Sequence, residues 1–401
     1  MLQTSKRARQ TIASPIRKFL PLAEAAEKKG LKIFKLNIGQ PDILPPVSVW
    51  QEILKLQKKD RLIPYAPSLG YLTARQAWQK FYADWGIRVK TEDIMITTGG
   101  SEAIIFSLLA VADPGDEIII FEPGYSSYKS FAKMTGVKLV PITLKLDNNF
   151  SLPSAAELRK KITRRTKAIV IINPNNPTGR IYSKKELSVL VKVAKKRGLF
   201  IIADETYREL TFIGQRAPSL LDFPAVRQQV IVTDSVSKKF SACGSRVGCL
   251  ISSNKELMAN ILKFAQARLS SPTLEQLAFV PVLKNSKQYI KKLNLEYRRR
   301  RDVVYGELEK IPGLTLFQPE ATFYLIVGLP VRNSEDLVKW LLTKFNYQGK
   351  TVMVTPAEDF YSTPGKGQNE IRIAYVLNTK ELKEAMMVFA RGLEQYLKVS
   401  G

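Results

Sequence analysis

The densest chemistry in the sequence lies in Ser235-Val236-Ser237-Lys238-Lys239-Phe240-Ser241-Ala242-Cys243-Gly244-Ser245-Arg246-Val247-Gly248. An apolar run at 230–233 precedes it and reads as a buried strand, and a second at 247–252 follows. A lysine therefore stands at a strand end, with two hydroxyls just before it and an arginine eight residues later between two glycines. The amine can condense with an aldehyde, while the hydroxyls and the guanidinium fork suit a phosphate dianion. That inventory fits a phosphorylated aldehyde. Taken alone, the stretch leaves open the blander alternative of a basic loop between two core strands.

Composition narrows the chemistry further. The chain has 401 residues, 62 Lys and Arg against 36 Asp and Glu, a formal charge of +26 and no histidine. Without histidine, Ser-His-Asp catalysis and His-ligated metals are excluded, so a catalyst must use lysine, tyrosine, carboxylates or a cofactor. Such a charge raises the prospect of nucleic-acid binding, but the basic residues are spread along the chain on polar faces of helical patterns. The densest run, 298–301, falls inside a helical pattern at 288–311 and reads as a solvated stripe. No zinc-finger spacing or aromatic RNA-binding signature accompanies it, which argues for no nucleic-acid partner. No apolar run reaches the ~18 residues of a membrane span. Residues 1–20 are basic but lack a signal-type apolar core, and Pro15 interrupts them, so they read as the arm of a cytoplasmic protein. Cys243 and Cys249 read as small buried fillers.

A chain of this length should form two domains. From residue 94, apolar runs alternate with amphipathic segments, the pattern of an α/β domain with a mostly parallel sheet. Strands are expected at 94–96, 117–121, 138–144, 167–172 and 199–203, and in such sheets ligands bind beyond the carboxyl ends. Those ends carry Gly100, Tyr125, Asn176, Asp204, Tyr207 and Lys238 in turn. Glycines at 99 and 100 leading into a helix at 103–111 make an anion site from free N–H groups. Ser183 with Glu186 forms a capping box for the helix that follows. Beyond residue 288, strands at 315–317, 323–327 and 371–375 and helices at 334–345 and 380–397 make a smaller α+β unit, with the N-terminal segment packed on it.

Three motifs together carry a family likeness: Asn-Pro-Thr-Gly at 176–179, Asp204-x-x-Tyr207, and Ser-x-Ser-Lys-x(5)-Gly-x-Arg-x-Gly at 235–248. In these the chain resembles the class I and II aminotransferases of fold type I, which use pyridoxal 5′-phosphate, and the likeness covers essentially its whole length. The resemblance implies a large domain with a mostly parallel seven-stranded sheet flanked by helices, plus a smaller α+β domain. It divides the chain into an arm and part of the small domain at 1–45, the large cofactor-binding domain at 46–287, and the C-terminal small domain at 288–401. It assigns Lys238 to the covalent cofactor link, with Lys239 a bystander, and Asp204 to the ring nitrogen. Tyr207 and Asn176 go to the phenolic oxygen, and Tyr125 to the ring face. The phosphate falls to Gly100, Ser101, Ser235, Ser237 and Arg246, with Tyr65 lent across a homodimer interface. Arg372, Gly39 and Asn176 would hold the substrate α-carboxylate, and Ile16 would lie over the substrate. Burial beside cations is expected to keep the freed Lys238 neutral as the base.

The partners so implied are an L-amino acid and a 2-oxo acid, with aspartate and 2-oxoglutarate favoured over alanine or aromatic donors. A lyase of the same fold type, such as a cysteine-S-conjugate β-lyase, would share every cofactor residue. Ala321-Thr322-Phe323-Tyr324 and Pro356-Ala357 depart from the family pattern near the side-chain pocket. Arg268 stands in the stretch where some aspartate aminotransferases place a distal cation, though a surface arginine is the simpler expectation.

Overall fold

Ile118-Ile119-Ile120-Phe121 and Ala168-Ile169-Val170-Ile171-Ile172 are apolar at every position, so strands made from them need cover on both faces. The computed structural model, which describes residues 2–12, 14–59 and 62–400, buries both runs completely in the middle of a seven-stranded sheet. In chain order the strands are β1 (Lys32–Lys35), β2 (Ile94–Thr97), β3 (Glu117–Glu122), β4 (Lys138–Thr143), β5 (Thr166–Ile172), β6 (Phe200–Asp204), β7 (Val230–Ser235) and β8 (Gly248–Ile251). They are followed by β9 (Thr315–Leu316), β10 (Tyr324–Gly328), β11 (Lys350–Met353), β12 (Thr355–Pro356) and β13 (Glu370–Ala374). The large sheet has the order β2-β8-β7-β6-β5-β3-β4, and β8 runs antiparallel to the other six strands. One apolar cluster, including Trp78, Phe81 and Phe240, covers one face. Another, including Ile104, Phe106 and Phe131, covers the other.

A further core forms around Phe34, Leu36, Phe323, Leu325 and Phe389. It lies among an antiparallel sheet β12-β13-β10-β9, the parallel pair β1-β11, and the helices Lys287–Leu308, Ser334–Thr343 and Thr379–Ser400. Phe34 faces Val352 across the β1-β11 pair, so the N-terminal segment is hydrogen-bonded to a strand near the C-terminus. No described helix is long and apolar enough to cross a membrane.

The structure corrects several local expectations. The strands β11 and β12 have no counterpart in the sequence reading, because each is short and paired with residues distant in the chain. The helix expected from 103 begins at Gly99, and Glu102 Oε2 turns back to accept the Thr98 N–H at 2.8 Å. The run 298–301 is a solvated stripe only at Arg298 and Arg299. Four consecutive residues sweep a full helical turn, so Arg300 and Arg301 are carried inward. Arg300 donates to Asp42 Oδ1 at 2.6 Å and Glu296 Oε1 at 2.9 Å, and Arg301 to Pro319 O at 2.5 Å and Asp302 Oδ1 at 2.6 Å.

Candidate active site

The carboxyl ends of β2, β5, β6 and β7 meet the start of β8 at one sheet edge, where a cavity of about 480 Å³ opens. Lys238, Asp204, Tyr207, Gly100, Ser101, Tyr125, Asn176, Ser235, Ser237 and Arg246 line it from the large sheet's side. Gly39 and Arg372 reach it from the second core, and Ile16 from the arm. Of the residues that the resemblance assigns to cofactor or substrate, Tyr65 alone stays outside, 77% exposed.

The lysine is placed by a cap. β7 ends at Ser235, whose Oγ accepts the Ser237 N–H at 3.1 Å and starts the short helix Val236–Lys239. On that helix Lys238 Nζ donates to Gly39 O at 2.8 Å and to Cys243 Sγ at 3.5 Å. Burial pulls its pKa down, but Tyr324, Cys243 and Tyr125 together push it up by more, so it lies above the ordinary lysine value. In the cofactor-free chain, acceptors therefore favour the charged amine; the expectation of a neutral amine concerns Lys238 once it is freed from the cofactor. Lys239 lies outside the cavity, apart from the chemistry, but it is tied into the core. It turns to the opposite side and is fully buried, 2.7 Å from Asp234 Oδ2 and 2.5 Å from Glu209 Oε2.

Asp204 ends β6 and is 7% exposed. Its Oδ1 accepts from Thr206 N–H at 3.2 Å and Oγ1 at 2.8 Å, and its other oxygen has no partner among the described residues. Burial pushes its carboxyl up to about 6, against the opposing hydrogen bonds from Thr206. A buried carboxylate with a free oxygen calls for a cationic N–H donor, and a pyridinium nitrogen is such a donor. Tyr207 is held neutral by burial and by Tyr324, whose hydroxyl lies 3.3 Å away.

Two glycines bring the anion-binding groups together. Gly99 has φ +76°, and a Cβ there would come within 2.4 Å of Arg246 Nη2. A Cβ on Gly248 would come within 2.6 Å of the Gly99 carbonyl carbon and 2.9 Å of the Gly100 nitrogen. The N-terminus of the helix Gly99–Val111, the Arg246 guanidinium and the Ser235 and Ser237 hydroxyls thus converge, a set of donors that fits a phosphate.

Arg372 sits in β13, fully buried, beneath the Tyr324 and Phe360 rings. Its Nη2 donates to Asn37 O at 2.6 Å and its Nη1 to Asn176 Oδ1 at 3.4 Å, while its Nε has no partner among the described residues. Burial lowers its pKa, partly offset by the neighbouring tyrosines. A buried guanidinium with an unpaired N–H is prepared for an incoming carboxylate. Gly39 stands alongside, and a Cβ there would fall 1.6 Å from Tyr324 Oη.

Sequence reasoning missed several lining residues: Ser14, Arg17, Ser127, Thr206 and Cys243; Tyr324, placed near the side-chain pocket by the sequence, also lines the cavity. Cys243 was expected to be a buried filler, yet it is partly open and touches Lys238, whereas Cys249 is buried. Its place in the same loop was the available signal. Arg268 is not a surface side chain. It is 15% exposed, donates to Ser68 O at 3.2 Å and lies 3.7 Å from Glu102, outside the cavity.

Comparison with known proteins places this arrangement. The family described as aminotransferase class I and II matches residues 32–389. An aspartate aminotransferase from Pyrococcus horikoshii is 28% identical over 90% of this chain and 91% of its own length. Among solved structures, an aspartate aminotransferase double mutant from Thermus thermophilus superposes with a TM-score of 0.89 at 27% identity, over 98% of this chain and 100% of that one. An alanine aminotransferase from Pyrococcus furiosus gives 0.87 at 30% identity, over 98% and 100%.

Proposed function

This chain belongs to the class I and II aminotransferases, which use pyridoxal 5′-phosphate, and we propose that it moves the amino group of aspartate to 2-oxoglutarate by a ping-pong exchange. The observation that carries this reading is the convergence in one cavity of the Lys238 amine, the buried carboxylate of Asp204 and the half-partnered guanidinium of Arg372. The choice of aspartate rests on the likeness to aspartate aminotransferases.

When bound, the cofactor supplies an aldehyde carbon that takes up the amino group and a ring that spreads the charge left when the α-carbon loses its proton. Lys238 would hold it covalently and, once released, would move the proton at the substrate α-carbon with Nζ. Asp204 would accept a hydrogen bond from the ring nitrogen and keep it protonated. Tyr207 and Asn176 would donate to the phenolic oxygen, and Tyr125 would pack on the ring. Gly100, Ser101, Ser235, Ser237 and Arg246 hold the phosphate. Arg372 grips the α-carboxylate with Asn176 and Gly39, and Ile16 covers the substrate from the arm. The domain division that accompanies these roles sets 46–287 as the cofactor-binding domain, with 1–45 and 288–401 forming the arm and small domain.

A second copy completes the site in this reading by lending Tyr65. Its support is exposed apolar surface: Val47 and Trp50, one turn apart on the helix Val47–Lys59, and Ile63, two residues before Tyr65, are 68%, 59% and 64% exposed. A homodimer would cover it.

Borohydride reduction of the holoenzyme followed by peptide mass mapping tests the cofactor link, and a pyridoxyl group on Lys238 is the expected product. Aspartate and 2-oxoglutarate should then yield glutamate. Release of pyruvate and ammonia from an amino acid without any oxo-acid acceptor would replace the transferase reading with the lyase one.

A further inference from the structure

We propose that Arg17 binds the distal carboxylate of a dicarboxylic substrate, so that the N-terminal arm selects the side chain; this rests on the aminotransferase reading above and deepens it. Four basic residues line the cavity: Lys238, Arg246, Arg372 and Arg17. The first three have acceptors: Lys238 at Gly39 O, Arg246 at Cys243 O and Thr98 O, Arg372 at Asn37 O and Asn176 Oδ1. Arg17 has no ion pair or side-chain hydrogen bond among the described residues, and the one acid lining the cavity, Asp204, is the carboxylate assigned to the ring nitrogen. An unmatched cation beside a ligand cavity is a place for ligand charge.

Most exposed arginines are simply hydrated, and what sets this one apart is how its backbone is held. Asn37, 1% exposed, donates from Nδ2 to Ile16 O at 2.9 Å, while its own carbonyl accepts Arg372 Nη2 at 2.6 Å. One buried asparagine thus ties the residue before Arg17 to the arginine that awaits the α-carboxylate. The arm is fastened on either side of this point. Ser130 Oγ donates to Ile12 O at 3.0 Å, and Lys18 Nζ lies 2.5 Å from Glu335 Oε2. Pro15, first residue of the short turn Pro15–Arg17, fixes its φ as well. Two guanidiniums on one scaffold at one cavity match a ligand with two carboxylates, each able to take a forked pair of hydrogen bonds. Arg268, the other arginine considered for this task, is already engaged by Ser68 O and Glu102 outside the cavity.

The test compares holoenzyme with Arg17→Ala and Arg17→Lys, using aspartate and alanine as donors, 2-oxoglutarate and pyruvate as acceptors, and the unreactive acids succinate and propionate as spectroscopic ligands. Arg17→Ala should lower kcat/KM for aspartate and 2-oxoglutarate and weaken succinate binding, each by roughly ten- to a hundredfold, mostly through KM. Alanine, pyruvate and propionate should change little, and Arg17→Lys should recover part of the loss. Equal losses for mono- and dicarboxylic ligands would reduce Arg17 to a strut of the arm, and no loss for either would remove it from the site; both outcomes overturn the inference while leaving the transferase reading intact. Wild-type enzyme that ignores aspartate yet loses 2-oxoglutarate and succinate selectively on Arg17→Ala would refute the donor assignment and uphold Arg17. A wild type that binds succinate no better than propionate and uses neither aspartate nor 2-oxoglutarate would refute both.

Discussion

Lys239 Nζ lies 2.7 Å from Asp234 Oδ2 with both side chains fully buried, one residue from a lysine whose amine opens into the cavity. Around this pair Glu205, Arg208 and Glu209 are also buried, Arg208 bridging Glu205 at 3.0 Å and stacking over the Tyr82 ring at 3.9 Å. Asp234 Oδ1 accepts the Ser235 N–H at 2.6 Å, so the ion network abuts the strand end that presents Ser235 and Lys238.

Lys239→Met should therefore damage the fold where Lys238→Ala damages the chemistry. Removing Lys239 leaves the buried carboxylates Asp234, Glu205 and Glu209 with Arg208 as the single remaining cation of the network, at a cost of about 3–5 kcal/mol. Urea unfolding should show that loss, and Asp234→Asn added to Lys239→Met should return part of it. Lys238→Ala should unfold like wild type while activity falls by several orders of magnitude, since a general base alone supplies ~10²–10⁴. Similar midpoints for Lys239→Met and wild type would show that the network contributes little to stability.

Asp204 links pH to the stability of the cofactor-free protein. Its folded pKa of about 6 exceeds the unfolded value of ~3.9, so between those values the folded chain keeps a proton that the unfolded chain has released. The contribution is complete below pH ~4 and is lost as pH rises through the folded value, amounting to about 3 kcal/mol. Asp204→Asn, neutral throughout, escapes this loss. The stability difference between the cofactor-free variant and wild type should grow in the variant's favour from pH 4 to 7, while transferase activity collapses. A difference independent of pH would mean that Asp204 is better compensated than its surroundings imply.

The sheet and much of the site were legible because both rest on local signals. Runs such as 168–172 announce buried strands, and Ser183 with Glu186 forms the capping box that the spacing foretold, Ser183 Oγ accepting the Glu186 N–H at 3.2 Å. Charge burial was not legible. Lys239 and Arg300 have ordinary basic neighbours in sequence, and two of the carboxylates they meet, Glu209 and Asp42, are brought near only by folding. The same holds for β11, whose partner β1 lies at the other end of the chain, and for the close approach of Tyr324 to Gly39, which has no side chain to block it.

Gly99→Ala tests the phosphate cradle. The substitution forces φ +76° on alanine and drives a methyl against Arg246, so cofactor affinity should fall roughly ten- to a hundredfold in an absorbance titration. Gly198→Ala is the control. It has φ +64° at the end of the helix Lys184–Arg197 with no atom near the added Cβ, so it should cost about 1 kcal/mol of stability and leave cofactor affinity unchanged. Equal effects on affinity would trace the loss to backbone strain, not to the cradle.

Tyr65 allows the shared-site dimer to be tested by complementation. Tyr65→Ala and Lys238→Ala chains are each expected to form weakly active or inactive homodimers. Refolded together in equal amounts, half of the dimers should be hybrids. If each site takes its lysine from one copy and its tyrosine from the other, a hybrid has one site carrying both defects and one carrying neither. Activity should then recover to about a quarter of wild type. If each copy uses its own Tyr65, every site in a hybrid carries one defect and mixing restores nothing. The exposure of Tyr65, 77% and outside its own cavity, favours the first result.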